Sequence, residues 1–312
     1  MTTTLADFAL TAPGTDRSLT HDGEHLVDPD GARHTCDDGI WDLLRPDRRP
    51  AIERFVGPYA RIRSLEQRTP LTAEAVAALP YRDLAGGQDA AWAERAASYD
   101  RFRSALAELA PTPGRMVDVG AGCAWLAARL ATDGWSAAAV DVTVEAAGLA
   151  AARLHPQPLL LLRAEMDALP FAPASVDLVV LNAALHYAPD VGGALDEAIR
   201  VLHPGGVLAV LDSPVFRDAD AGRRMVEEFA AETLARHGAE AAPLPGPGFV
   251  TVADLEDLRR RHRPATWQQL GGRRGLTGAV RRRIGARRAG RETADRPLLL
   301  ATTPTRPTRE SR

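Results

Sequence analysis

From residue 115 to residue 214 the chain alternates short apolar runs with segments of helical period. The runs at 115–119, 136–142, 158–163, 176–182 and 206–212 are almost continuous in Val, Leu and Ala. Strands covered on both faces have that pattern, whereas half-exposed strands alternate. Between the runs, apolar spacing predicts helices over 124–133, up to Arg153, and over 192–202. Alternating strands and helices predict an α/β fold, a mostly parallel sheet with helices on both faces.

The flanks read differently. Upstream, 51–67 carries Ile52, Phe55, Val56, Tyr59, Ile62 and Leu65 at helical spacing. Thr72 can cap a short helix through Ala78, which stops before Pro80. The helical pattern returns over 90–109 with Trp92, Ala96, Tyr99, Phe102 and Leu106. Residues 1–45 are polar and turn-rich, with apolar alternation only around Leu26-Val27 and Ile40-Trp41. Past Pro214 the chain starts helical, and 266–270 and 297–301 are strand candidates. An arginine-rich stretch, 273–291, separates them, and the Pro, Thr and Arg tail after Thr303 is expected to be disordered.

The first apolar run ends in Asp118-Val119-Gly120-Ala121-Gly122, and a helix follows. Open parallel sheets bind ligands beyond the carboxyl ends of their strands, and glycines there allow a tight turn and close approach to the backbone. The third glycine of the dinucleotide fingerprint is missing, because Trp125 stands three residues after Gly122. A nucleoside without phosphates therefore fits better than a pyrophosphate. Asp141 ends the second run, where a carboxylate can accept from ribose hydroxyls.

In order, these and later motifs resemble those of the class I S-adenosylmethionine-dependent methyltransferases. Asp118 to Ala124 is similar to D-x-G-x-G-x-G, with Ala124 in place of the last glycine. Leu169-Pro170-Phe171, Val176-Asp177-Leu178-Val179 and Arg200-Val201-Leu202-His203-Pro204-Gly205-Gly206 resemble three further family motifs, with His203 in place of Lys. The similarity covers about 100–220. It implies a Rossmann-like, mostly parallel seven-stranded sheet in which the two late strands form an antiparallel hairpin. It also implies that S-adenosylmethionine is held by Asp118, Gly120, Ala121, Gly122, Asp141, Val142, Glu165, Met166 and Asn182. In that set Glu165 replaces the usual Asp beside the adenine, Asp167 is its alternative in a shifted register, and the Met166 N–H meets the ring.

On the same resemblance, 49–110 is a helical lid or linker, 111–303 the cofactor-binding domain and 304–312 a disordered tail. Residues 1–48 are similar to a zinc-ribbon segment fused to some bacterial methyltransferases, through Gly23 to Val27 and Asp38 to Leu44. Where that segment carries cysteine pairs, this chain has Ala12-Pro13-Gly14-Thr15 and Asp28-Pro29-Asp30-Gly31. Without those thiolates a tetrahedral zinc site is not expected. The segment is expected to serve as a docking surface for a protein partner or a second copy.

Methyl transfer needs alignment more than it needs a distinctive catalytic group. The catalytic candidates are His186, Tyr187 and Asp212, at the ends of the fourth and fifth runs. His186 could act as a general base or hold its loop. Tyr187 could shape the acceptor pocket or pack. Asp212, with Ser213, could touch substrate or cap a turn. On the preceding helices Arg63, Trp92 and Arg95 could close over the cofactor, and an arginine there, Arg63 above all, could pair with its carboxylate.

Composition narrows the picture further. The net charge is -3, which gives no general attraction to nucleic acid. The 38 basic residues are all arginine. No apolar run is long enough to span a membrane, and the start lacks the pattern of a signal peptide, so a cytoplasmic protein is expected. The two cysteines, Cys36 and Cys123, fit no metal spacing. The 273–291 stretch lacks stacking aromatics and reads as a solvated helix sooner than as an RNA site. A small-molecule methyltransferase follows as the expected function, with specialised metabolism as one setting for it. The rivals are an RNA or protein methyltransferase, and a cofactor-binding protein of this fold with another reaction or a regulatory role.

Overall fold

The computed structural model describes residues 5–66, 72–145, 148–238, 240–263, 265–271 and 290–305. The N-terminal segment holds β1 (Thr20–His21), β2 (Leu26–Val27), β3 (Arg33–His34), β4 (Cys36–Asp37) and β5 (Ile40–Asp42). Helices α1 (Arg49–Leu65), α2 (Ala73–Ala78) and α3 (Asp89–Leu109) follow. The alternating part runs β6 (Arg115–Val119), α4 (Trp125–Thr132), β7 (Ser136–Asp141), α5 (Leu149–Ala152), β8 (Leu160–Arg163), β9 (Val176–Asn182), α6 (Val191–Val201) and β10 (Leu202–Leu211). The last section contains β11 (Val215–Phe216), α7 (Ala219–His237), β12 (Val250–Thr251), α8 (Val252–Arg261), β13 (Thr266–Leu270) and β14 (Leu298–Thr302).

The main sheet has the order β13-β14-β10-β9-β6-β7-β8-β5-β4. Strands β10, β9, β6, β7 and β8 are parallel, and β14 and β13 add an antiparallel hairpin. The expected seven strands are there, and two more join them from the N-terminal segment. β5 pairs in parallel with β8, placing Ile40 opposite Leu161 and Asp42 opposite Arg163. This covers the edge that β8 would otherwise leave open. The other three N-terminal strands, β1, β2 and β3, form a separate antiparallel ribbon, and β11 and β12 a two-stranded parallel one.

Alternate strand residues divide between two cores. Val117, Val119, Ala138, Val140, Val179 and Leu181 face a layer containing α6, α8 and the N-terminal Phe8, Leu10 and Leu43. Met116, Ala137, Ala139, Leu178 and Val180 face Tyr99, Phe102 and Leu106 of α3 and Leu126 and Leu130 of α4. Thus α3 is part of the sheet's covering layer, while α1 lies over the strand ends.

The later motifs tie these layers together. Arg200 donates to the Leu169 and Phe171 carbonyls at 3.1 and 3.0 Å, holding the Leu-Pro-Phe turn to α6. His203 meets the Asp177 carboxylate at 2.6 Å, and the Arg115 N–H donates to the same carboxylate. The helix expected up to Arg153 is confined to α5, four residues long. Residues 272–289, most of the arginine-rich stretch, and 306–312 of the tail lie outside the described residues. Arg291, at the end of that stretch, donates to Glu228 of α7 at 2.8 Å.

Candidate functional site

The turn after β6 is set by backbone geometry. Gly120 and Gly122 have φ of 69° and 54°, in the left-handed region that favours glycine. The Gly120 and Ala121 N–H groups both donate to the Val140 carbonyl, at 2.8 and 3.1 Å, pinning the turn to β7. A Cβ on Gly120 would lie 2.5 Å from the Ala184 Cβ. Ala124, the departure from the glycine pattern, also sits in the left-handed region at φ 53° and precedes α4. An alanine there costs roughly 1 kcal/mol more than a glycine.

Asp141 closes the other side. One carboxylate oxygen accepts from the Gly122 N–H and the other from the Thr143 N–H, both at 2.8 Å. Burial pushes its pKa up, against the pull of those N–H donors. A carboxylate oxygen accepts more than one bond, so Asp141 can also receive two neighbouring hydroxyls.

Between turn and acid lies a cavity of about 540 Å³. Met166 and Ala164 form the wall beyond β8, Ala183 and Ala184 the wall beyond β9, and Phe55 and Tyr59 of α1 lie across it. Tyr59 is buried enough that its phenol stays far above its usual pKa and keeps its proton.

Of the expected cofactor residues, Gly120, Gly122, Asp141, Val142 and Met166 line this cavity. The others are placed elsewhere. Asp118 lies buried beneath the turn, where it accepts from the Ala127 N–H of α4 at 3.2 Å. Ala121 spends its N–H on Val140. Glu165 is not in the lining of this cavity but lines an adjoining one, which shares Phe55, Val142, Met166 and Tyr187 with it. Glu165 is held by Arg45 at 2.7 and 3.1 Å and accepts the Arg45 backbone N–H at 3.1 Å. Asp167, the shifted-register alternative, accepts from the same guanidinium at 2.9 Å. Asn182 ends β9 with its side-chain oxygen buried and unpartnered. Arg63 lines an adjoining cavity and donates to the Tyr187 hydroxyl at 2.7 Å and to Glu66 at 3.1 Å.

The catalytic candidates separate in the same way. Tyr187 lines the cofactor cavity and the one beside it. His186 packs on Tyr187 with ring centroids 4.3 Å apart. Burial, then Arg63, Arg296 and Arg95, push its pKa down to about 3. It is neutral at ordinary pH, and its Nδ1 lies 3.4 Å from the Ser213 hydroxyl, so the ring is held by that contact as well as by stacking. Asp212 accepts from Ser98 of α3 at 2.7 Å, its other oxygen is buried without a partner, and its φ is 54°.

Phe55, Tyr59, Thr143, Ala164, Ala183 and Ala184 line the cavity without having been singled out for function. Phe55, Tyr59 and Arg63 recur at intervals of four, one stripe of α1, which was the available signal. Among the described residues, no group of three or more His, Cys, Asp or Glu side chains could hold a metal ion.

Comparison with known proteins decides the family. Residues 117–210 match the model of a methyltransferase domain. A demethylmenaquinone methyltransferase of Mycobacterium sp. is 32% identical over 193 residues, 58% of this chain and 80% of that protein. The chain belongs to the class I S-adenosylmethionine-dependent methyltransferases. An uncharacterized protein of Mycobacterium tuberculosis is 36% identical over 102 residues, 32% of this chain. The match spans only 37% of that relative's length. Among solved structures, an arsenic(III) S-adenosylmethionine methyltransferase from Chlamydomonas reinhardtii is similar at 23% identity and a TM-score of 0.43, over 62% of this chain and 64% of that one.

S-adenosylmethionine is the cofactor of this methyltransferase family, and the residues present fit it. Asp141 offers acceptors for the ribose hydroxyls. Gly120 leaves room where a side chain would collide with Ala184. Met166 presents an apolar wall, and the unpartnered Asn182 oxygen can accept a further donor near the strand end. Among the described residues, no helix is long and apolar enough to cross a membrane.

Proposed function

We propose that this chain transfers a methyl group from S-adenosylmethionine to an O, N or C atom of a small-molecule acceptor. The observation that carries the reading is Asp141 facing the Gly120–Gly122 turn across a cavity overlain by Phe55 and Tyr59. When bound, S-adenosylmethionine supplies a methyl group made electrophilic by a positively charged sulfur. The chain's own part is to orient and to exclude water. Asp141 receives ribose hydroxyls, Met166 and Val142 contact the base, and Phe55 and Tyr59 screen the cavity from solvent. Neutral His186 stacks behind Tyr187 and fixes its ring beside the acceptor path.

In this reading Arg45 joins the N-terminal segment to the 164–167 wall through Glu165 and Asp167, so the segment steadies the base end of the cavity. A cytoplasmic setting accords with two free thiols, Cys36 and Cys123. Incubation with S-adenosylmethionine and a panel of acceptors tests the function. Release of S-adenosylhomocysteine with a methylated product supports it. A product formed with the cofactor unchanged would sink it.

A further inference from the structure

A second cavity, of about 840 Å³, adjoins the first. Tyr59 and Tyr187 line both, so a molecule in one reaches the boundary of the other. Ile62 of α1, Val226 and Phe229 of α7, and Pro243 and Leu244 of the following loop make its walls apolar. Among the described residues no carboxylate lines it, and Arg63 is its one charged wall residue.

Arg63 and Tyr187 are coupled in a definite direction. The guanidinium donates to the Tyr187 hydroxyl oxygen at 2.7 Å. That oxygen therefore acts as acceptor, and the phenolic proton is left to be donated elsewhere. A guanidinium has five N–H groups and remains charged at any working pH. Glu66 takes one of them at 3.1 Å from outside the cavity wall. The surroundings are also electropositive, since Arg63, Arg296 and Arg95 all act against a charge on the neighbouring His186. An apolar cavity with a guanidinium and a polarised hydroxyl favours an apolar anion, because an ionised oxygen accepts charge-assisted hydrogen bonds that are stronger than those to a neutral oxygen, and a cationic guest is repelled.

We propose that the acceptor is an apolar molecule carrying an oxyanion, an ionised hydroxyl or a carboxylate, and that Arg63 and Tyr187 hold that oxygen at the boundary with the cofactor cavity. The proposal rests on the methyl-transfer reading and names its acceptor class. Phe229, 41% exposed, stands on the cavity wall and gives the apolar body a path from solvent.

Calorimetric titration tests this with four probes of one ring size: 2-naphthoate, 2-naphthol, 2-naphthalenemethanol and 2-naphthylmethylammonium. Each is added to protein saturated with S-adenosylhomocysteine. The anion should bind more tightly than the neutral alcohol, and the cation most weakly. Arg63→Met should weaken 2-naphthoate about tenfold or more while leaving 2-naphthalenemethanol within about twofold. Tyr187→Phe should weaken the anion and keep the ring contacts. Ala230→Trp should fill the cavity and abolish all binding without loss of S-adenosylhomocysteine. Tightening of 2-naphthol from pH 7 to pH 9 assigns the ionised hydroxyl, and a lasting preference for 2-naphthoate assigns the carboxylate. Equal binding of anion and cation, with S-adenosylhomocysteine still bound, would overturn this proposal alone. Failure of S-adenosylhomocysteine to bind the unaltered protein would overturn the methyl-transfer reading and this proposal with it.

Discussion

At the Asp141 end of the cofactor cavity the backbone sets the geometry. Gly120, Ala121 and Gly122 are pinned to Val140 and Asp141 by N–H bonds, and the strands beneath are buried on both faces. At the Tyr59 end the cofactor cavity is covered by Phe55 and Tyr59 of α1 and by Tyr187, and the adjoining cavity is walled by α1, the 241–246 loop and α7, which are far apart in sequence. The first end is one strand-turn-helix unit with little freedom, suited to a cofactor that never changes. The second is assembled from long-range contacts between partly exposed helices, and side chains can be exchanged there without disturbing the sheet.

The largest effect expected from this contrast is at the turn. Gly120→Ala places a methyl group 2.5 Å from the Ala184 Cβ on a backbone of φ 69°. It should lower S-adenosylhomocysteine affinity by roughly 100-fold and stability by about 2 kcal/mol, read by calorimetry and denaturant unfolding. Retained affinity would show that the backbone end is softer than its hydrogen bonds imply. Next comes Arg45→Met, which leaves Glu165, 5% exposed, with only the Arg48 guanidinium at 3.5 Å and the backbone N–H of residue 45. A loss of about 3 kcal/mol in unfolding free energy is expected, with only a few-fold weaker cofactor binding.

A middle-sized effect is expected at the side-chain end. Tyr59→Ala should weaken cofactor binding about tenfold, a loss of roughly 1.5 kcal/mol, with no change in fold by circular dichroism. An effect as large as that of Gly120→Ala would erase the distinction between the two ends.

The buried strands, the turn and Asp141 were legible in the sequence because each depends on neighbours within a few residues. Continuous apolar runs announced buried strands, and the glycines announced a turn that side chains would block. The Arg45–Glu165 ion pair was not legible for the opposite reason: its two residues lie 120 positions apart in the chain. The union of β5 with β8 was hidden as well, since a three-residue strand has no periodicity to read. Phe55, Tyr59 and Arg63 were visible as a helical stripe, and nothing local told which side of α1 faces the cavity.

Two smaller effects concern protons, one at each end. His186 titrates near 3 in the folded protein and near 6.5 when unfolded. The unfolded chain then binds more protons between those values, so stability is full above about pH 6.5 and falls as pH drops. His186→Gln should flatten that acid limb by up to about 1.4 kcal/mol per pH unit, measured as unfolding midpoints from pH 7 to pH 4. Beneath the turn, burial pushes Asp118 up to about 7. Its contribution is full below about pH 4 and is lost as pH rises toward 7. Asp118→Asn should therefore gain about 1 kcal/mol relative to the unaltered protein at pH 8, with cofactor affinity changed by less than about threefold. A large loss of affinity would place Asp118 in the binding site itself.

The most direct measurement is calorimetric titration of S-adenosylhomocysteine into the unaltered protein and into Asp141→Ala. Binding at one site per chain is expected for the former. For the latter, affinity should fall at least about 100-fold, because the ribose hydroxyls lose a charged acceptor. Equal binding to both proteins, or none to the unaltered chain, would contradict the assignment of this cavity to the cofactor.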